Sequence, residues 1–289
     1  MTDTLEDRRA ALEAEFALRG FLSDASEADV AHLRAEHSEA FSLASDLNIV
    51  LQGACVRALH ANHGATYDPE PLATRLALRA VQSFQATLLL TERAMIADAQ
   101  TALRSLLEDT FCIAALQSDP PTFITMFKAD AEAARRLQGQ FIMAQNLLAS
   151  RSAEDRAQLA AVVDAIGSKA RLISPKTVAG MGPLVRQYLL YQTLSNDAAH
   201  PSAASLWRHV TSAPEGDGWS YRWGPGLASE VAYTLRHTIA TAIGFGIGFT
   251  QFIKDAEGQQ AVSQLVPRLQ ALPEAASTPS QAAREAPGP

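Results

Sequence analysis

Apolar residues recur at three- and four-residue spacing through long stretches of this chain, broken only by short loops marked with glycine and proline. That periodicity commits the chain to stacked helices before any other property is weighed. The longest run extends from Glu27 to about Asn62 and ends at Gly64. Ser26 and Asp29 at its start resemble a capping box, with Asp in the place usually held by Glu. An amphipathic first helix bearing Leu5, Leu12 and Phe16 precedes it, to about Leu18. Further runs read as helices over about 72–93, 97–116, 122–150, 152–172, 183–199 and 228–256. Asp68 ahead of Pro69, and Pro183, suit helix starts. The SDPP sequence from Ser118 and the Pro201 that follows His200 end helices. The stretch ISPKTVAGMGP, from Ile173, reads as loop.

One segment departs from this pattern. Between Ser212 and Leu227, Trp219, Tyr221 and Trp223 alternate among Gly216, Gly218, Gly224 and Gly226. Alternation bounded by glycines predicts a short hairpin near 215–226, expected to cover the helical core. Beyond Val266 the chain holds Pro267, Pro273, Pro279, Pro287 and Pro289 among Ala, Ser and Glu, a composition that predicts disorder. The fold class is therefore all-α: a multi-helix bundle of long antiparallel helices with one small β-hairpin insertion. The expected division is an N-terminal amphipathic helix at 1–19, one helical domain at 20–258, and a Pro/Ala-rich tail at 259–289.

Composition excludes several classes. A net charge of −7 and a pI near 5.5 argue against coating nucleic acid or an anionic membrane through bulk charge. Only four of the 24 basic residues are lysine, so arginine clusters carry little weight by themselves. Cys55 and Cys112 lie in apolar helical patterns and read as reduced core thiols. His237 to Ile253 is the most apolar stretch, but it is short for a bilayer span and carries His237, three threonines and Gln251. With Gly244 and Gly248 four apart, it reads as a central helix packed closely on a neighbour. No membrane span is expected, and the charged N-terminus is no secretory signal, so a cytoplasmic location is.

Two polar groups stand out on helical faces. Arg104 and Glu108 are four apart beside Leu103 and Leu107, so the pair borders the core. It reads either as a partly buried structural ion pair or as part of a site. The second group is Tyr188, Tyr191, Ser195, Asn196, Asp197 and His200. Tyr188, Tyr191 and Ser195 share a face, and Asp197 lies one turn before His200. A carboxylate so placed can orient a histidine and make it a better acid–base group. A histidine near a helix C-terminus is equally explained by the helix dipole.

LRSLLED from Leu103, followed some ninety residues later by Y-x-x-x-S-x(4)-H-P-S from Tyr191, resembles a bacterial family of uncharacterised helical proteins defined only as a domain of unknown function. The resemblance covers roughly Leu47 to Phe252. It implies an all-helical fold and makes Arg104, Glu108, Tyr191, Ser195 and His200 the residues to watch, though the gap from Ser195 to His200 is one residue longer than the family's usual three. A weaker similarity ties Arg57-Ala-Leu-His60-Ala-Asn62-His63 to the Arg-x(4–6)-His motif of HEPN ribonucleases, common among toxins and phage-defence proteins. In that group an arginine and a histidine act without metal, usually across a homodimer, the cation steadying charge on the phosphate and the histidine moving a proton.

Other chemistries find less support. Asp197-x-x-His200 has the spacing of carboxylate–histidine metal motifs in bundles, but a second motif is missing, so no metal and no cofactor is expected. Ser195 lacks a nucleophile elbow. Two functions remain. One is a ligand- or partner-binding, regulatory module, in bacterial stress or phage defence, holding a small ligand or protein with Tyr191, Ser195 and Asp197 or with the aromatic strip. The other is a metal-independent ribonuclease or toxin acting on RNA, with Arg104, Glu108 and His200, or alternatively Arg57 and His63, as catalytic groups.

Overall fold

A computed structural model describes residues 14–23, 25–166, 170–212 and 218–274. The chain is all-α with one small antiparallel hairpin. Its helices are α1 (Ala25–Glu36), α2 (Ser38–Ala61), α3 (Pro69–Glu92), α4 (Ile96–Ser118), α5 (Pro120–Ala144), α6 (Ala153–Ile166), α7 (Pro175–Met181), α8 (Gln187–Leu194), α9 (Ala203–Leu206), α10 (Ala228–Phe252) and α11 (Ala256–Ala271). Side-chain caps start several of them. Asp119 accepts from the Thr122 amide, Ser174 from Thr177 and Asp255 from Gly258, each satisfying a backbone N–H that the first turn leaves free.

Helix α10 is the axis of the bundle and packs on α2, α3, α4 and α11. Phe245 and Phe249 on α10 meet a core that includes Leu43, Leu47 and Leu51 of α2, Phe84 of α3 and Phe111 of α4, all buried. Its buried threonines hydrogen-bond within the helix: the Thr238 hydroxyl donates to the Thr234 carbonyl at 2.6 Å, and Thr250 to Gly246 at 2.8 Å. This back-bonding lets a helix with polar side chains sit in an apolar interior. Among the described residues no helix is long and apolar enough to cross a membrane.

Several expectations move. The run expected from Glu27 to Asn62 bends at His37, which joins α1 to α2. The Ser26–Asp29 capping box lies outside the described side chains, as does most of the first helix, of which 14–19 are helical. The expected loop from Ile173 contains α7, capped by Ser174 with Pro175 in its first turn. The tail expected from residue 259 is instead α11 as far as Ala271, with Val262 and Leu265 buried in the main core despite Pro267; residues 275–289 lie outside the described residues. The glycine contact differs in detail. A Cβ at Gly248 would come within 3.0 Å of Ile113, but one at Gly244 would meet nothing within 4 Å. The closest approach runs through Gly246, where a Cβ would lie 2.9 Å from Leu51 Cδ2 and 3.1 Å from Val262 Cγ2.

The hairpin begins earlier than expected. Strand β1 (Val210–Ser212) pairs with β2 (Trp219–Tyr221), Val210 opposite Tyr221; residues 213–217 between them lie outside the described residues. It does not bury its aromatic strip over the core. Trp207, Trp219, Tyr221 and Trp223 are 59, 60, 77 and 63% exposed. Trp219 and Tyr221 stand edge to face at 5.0 Å, and Phe16 lies 5.8 Å from Trp223.

The unequal surroundings of the two α10 glycines give a direct test. Gly246→Ala is expected to lower unfolding free energy by about 1–3 kcal/mol, because Leu51 and Val262 must shift. Gly244→Ala, with open space around it, should be neutral or stabilise by up to about 1 kcal/mol. Urea denaturation of both variants checks the contrast.

Candidate functional site

A polar seam forms where α4 meets α8. Arg104 and Glu108 project one turn apart from α4, and Tyr191 reaches them from the last turn of α8. The Arg104 Nη2 donates to the Tyr191 hydroxyl at 2.8 Å, and that hydroxyl donates to Glu108 Oε1 at 3.0 Å. Arg104 and Glu108 also pair directly at 3.4 Å. The guanidinium lies 4.9 Å from the centre of the Tyr191 ring, which stacks on Tyr188 at 5.5 Å and packs against Phe111. Burial raises the Tyr191 pKa, with the Arg104 hydrogen bond opposing, so the phenol stays neutral and can both donate and accept.

The seam continues to Arg79 on α3. Its Nη2 is 3.8 Å from Glu108 Oε2, and its Nη1 donates to Asp109 Oδ1. Asp109 is fully buried, and its Oδ2 accepts no hydrogen bond; the Arg104 Nε is likewise buried without an acceptor. Desolvation pushes the Asp109 carboxyl up to about 7, with Arg79 opposing the shift. A pocket of about 120 Å³ adjoins the seam, lined by Glu108, Phe111, Cys112, Phe127, Asp130 and Ile173 among others. Cys55 and Cys112 are free, and burial raises their thiols to about 11 and about 12, consistent with unreactive core thiols.

After Leu194 the helix widens into a π-helix, Ser195–Ala199, which packs against α4. The Ser195 hydroxyl donates to the Tyr191 carbonyl at 2.8 Å and is thereby occupied. Asp197 is buried within the wide turn, and its charge, after burial, raises the pKa of Tyr233 on α10. His237, one turn on from Tyr233 and 4.3 Å from its ring, is held neutral by burial and by Arg236. The His200–Pro201–Ser202 sequence is a joint between helices. His200 is exposed and extended, and its carbonyl accepts from Ser205, while Ser202 and Ser205 form the capping box of α9.

The structure thus brings Arg104, Glu108 and Tyr191 together and leaves His200 out: no hydrogen bond of the seam reaches it. Arg57 and His63 do not join them either. Arg57 grips Asp255 through Nε at 3.1 Å and Nη2 at 2.7 Å, tying α2 to the start of α11. His63 is exposed, its Nε2 3.1 Å from the His60 carbonyl. Among the described residues no three of His, Cys, Asp and Glu converge as a metal site would require. Sequence reasoning missed Arg79 and Asp109. Asp109 was findable, since it stands three residues after Leu106 and four before Ile113, on the apolar face of α4. Arg79 gave no such signal.

Asp109 yields a pH prediction. With a folded value of about 7 against 3.8 for the free group, the folded chain keeps a proton that the unfolded chain releases between those values. The carboxyl alone therefore contributes stability that is full below about 3.8 and is lost as pH rises through about 7. Asp109→Asn should flatten that decline in melting temperature between pH 5 and 8. Tyr191→Phe is expected to cost about 1–2 kcal/mol in urea denaturation, because the phenol's two hydrogen bonds are lost.

Comparison with known proteins places this architecture in a family. No curated protein and no solved structure matches the chain. A family model matches residues 71–218, from the first turn of α3 to the hairpin, just over half of the 289 residues and including Arg104, Glu108, Tyr191, Ser195 and His200. The chain belongs to the family of unknown function DUF5677.

Proposed function

We propose that the protein is a binding module that engages a protein partner through the outer face of its hairpin. The observation that carries this is the exposure of Trp219 and Tyr221 on β2, together with Trp207 just before β1. Large aromatic side chains lose little conformational entropy on contact and bury much area, so a cluster of them left in water is characteristic of an interface. A partner presenting an apolar surface fits this face.

Other features support binding over catalysis. A metal-independent ribonuclease requires an arginine free to meet phosphate beside a histidine that moves a proton. Arg57 is held by Asp255, Arg104 is engaged with Tyr191 and Glu108, and His63 and His200 are exposed. The seam acts instead as a positioning device, locking α8 onto α4.

Photo-cross-linking in cells tests the proposal. A benzophenone amino acid placed at Tyr221 or Trp219 should give discrete, protease-sensitive adducts, and the same group at Leu189, which is equally exposed on α8, should not. No adduct at either hairpin position, or equal labelling from Leu189, would defeat the idea. Adducts removed by ribonuclease treatment would favour RNA as the partner. Purified protein is expected to leave a mixed RNA pool intact.

A further inference from the structure

Behind the aromatic face lies a pocket of about 230 Å³, whose walls include Phe21, Met95, Ile96, Arg208, Arg222 and Trp223. Its polar end is built around Glu230, a buried carboxylate in the first turn of α10. Glu230 Oε2 accepts from Arg222 Nη2 at 2.9 Å and from the Leu227 amide at 2.9 Å. Arg208 reaches Glu230 Oε1 only at 3.5 Å, and its buried Nε has no acceptor. Two guanidiniums therefore share one carboxylate, and Arg208 is the less satisfied. The other carboxylate on the lining, Asp98, is exposed to solvent and screened.

The frame is rigid. The Arg222 amide donates to the His209 carbonyl at 2.9 Å, extending the β1–β2 pairing and fixing both arginines on one hairpin. On the opposite side the Gly226 amide donates to the Ala94 carbonyl at 2.9 Å, and a Cβ at Gly226 would lie 2.3 Å from Ile96. Ala94 itself has φ +53°, a conformation an alanine adopts only when its surroundings impose it. The apolar part of the lining includes Trp223, Met95 and Ile96.

We propose that this pocket binds a small planar carboxylate, with its carboxylate between Arg208 and Arg222 and its ring against Trp223. The planar fork of arginine matches a carboxylate edge, and a single negative charge balances the cation that Glu230 leaves over. The volume is below the roughly 300–1,000 Å³ of sites for drug-sized ligands, which restricts the occupant to metabolite size. The proposal rests on the binding-module reading but uses the inner side of the hairpin.

Calorimetric titration of the full chain tests it, with benzoate, anthranilate and indole-3-carboxylate as probes. Saturable binding is expected, with Kd on the order of 0.1–1 mM, since such ligands are small. Benzyl alcohol and inorganic phosphate should bind at least about tenfold more weakly, the first lacking the charge and the second the ring. Trp223→Ala is benign for folding because the side chain is exposed, and it should weaken all three carboxylates. Arg208→Gln leaves Glu230 paired with Arg222 at 2.9 Å, so no buried carboxylate is left uncompensated, and it removes the surplus cation, so it should also weaken them. The idea is overturned if no carboxylate binds saturably, if benzyl alcohol or phosphate binds as well, or if both variants bind like the parent. Either result leaves the cross-linking outcome from positions 219 and 221 standing on its own.

Discussion

The bundle depends on burying α10 among four neighbours at once. A helix so placed keeps only a narrow stripe in water, through Ala240, Gly244 and Gln251, so its buried polar groups must find partners inside. Thr238 and Thr250 do this by turning back onto the carbonyls four residues earlier, and Gln100 on α4 approaches Thr234 at 3.4 Å. Close approach is then limited by side-chain size, and Gly246 lies where α2 and α11 converge. With that axis in place, α3 and α4 form a platform on which α8 and its π-helix are laid.

Charged residues in this protein work mostly as fasteners at helix ends and seams. Arg34 holds Glu92 at the end of α3, Arg57 holds the residue that caps α11, and Arg236 donates to carbonyls at the end of α11. Arg268 reaches back to Asp46 on α2. Arg104 and Arg79 do the same for the α3–α4–α8 corner through Glu108, Tyr191 and Asp109. Neither Arg104, held by Tyr191 and Glu108, nor Arg57, held by Asp255, meets a histidine through these contacts. The two guanidiniums at Glu230 differ in that they line an open pocket and share a single counter-ion.

Much of the fold was legible because helical periodicity is a local property. The runs that became α3, α4 and α10 were bounded to within a few residues by Asp68–Pro69, by SDPP and by the glycines before Ala228. The Arg104–Glu108 pair was legible too, since an i,i+4 spacing beside Leu103 and Leu107 can only lie at the border of the core. Its third member was not. In the sequence, His200 reads together with Arg104 and Glu108 and Tyr191 reads apart as a ligand contact, whereas the fold brings Tyr191 to the pair and leaves His200 exposed beyond the π-helix. Nothing in spacing reports a widened turn. The hairpin was misread for a related reason: alternation reveals a strand, but which face meets the core depends on where the strand docks.

Helix α11 also determines what a shortened chain would be. Cut after residue 258, the chain would keep Arg57 and Asp255, so the cap would survive with no helix to cap. The side of α10 around Gly246 would lose Val262 and Leu265, exposing a furrow flanked by Leu51 and Phe249. Such a strip of fresh apolar surface invites self-association. Helix α11 therefore shields apolar surface of α10 as well as completing the core.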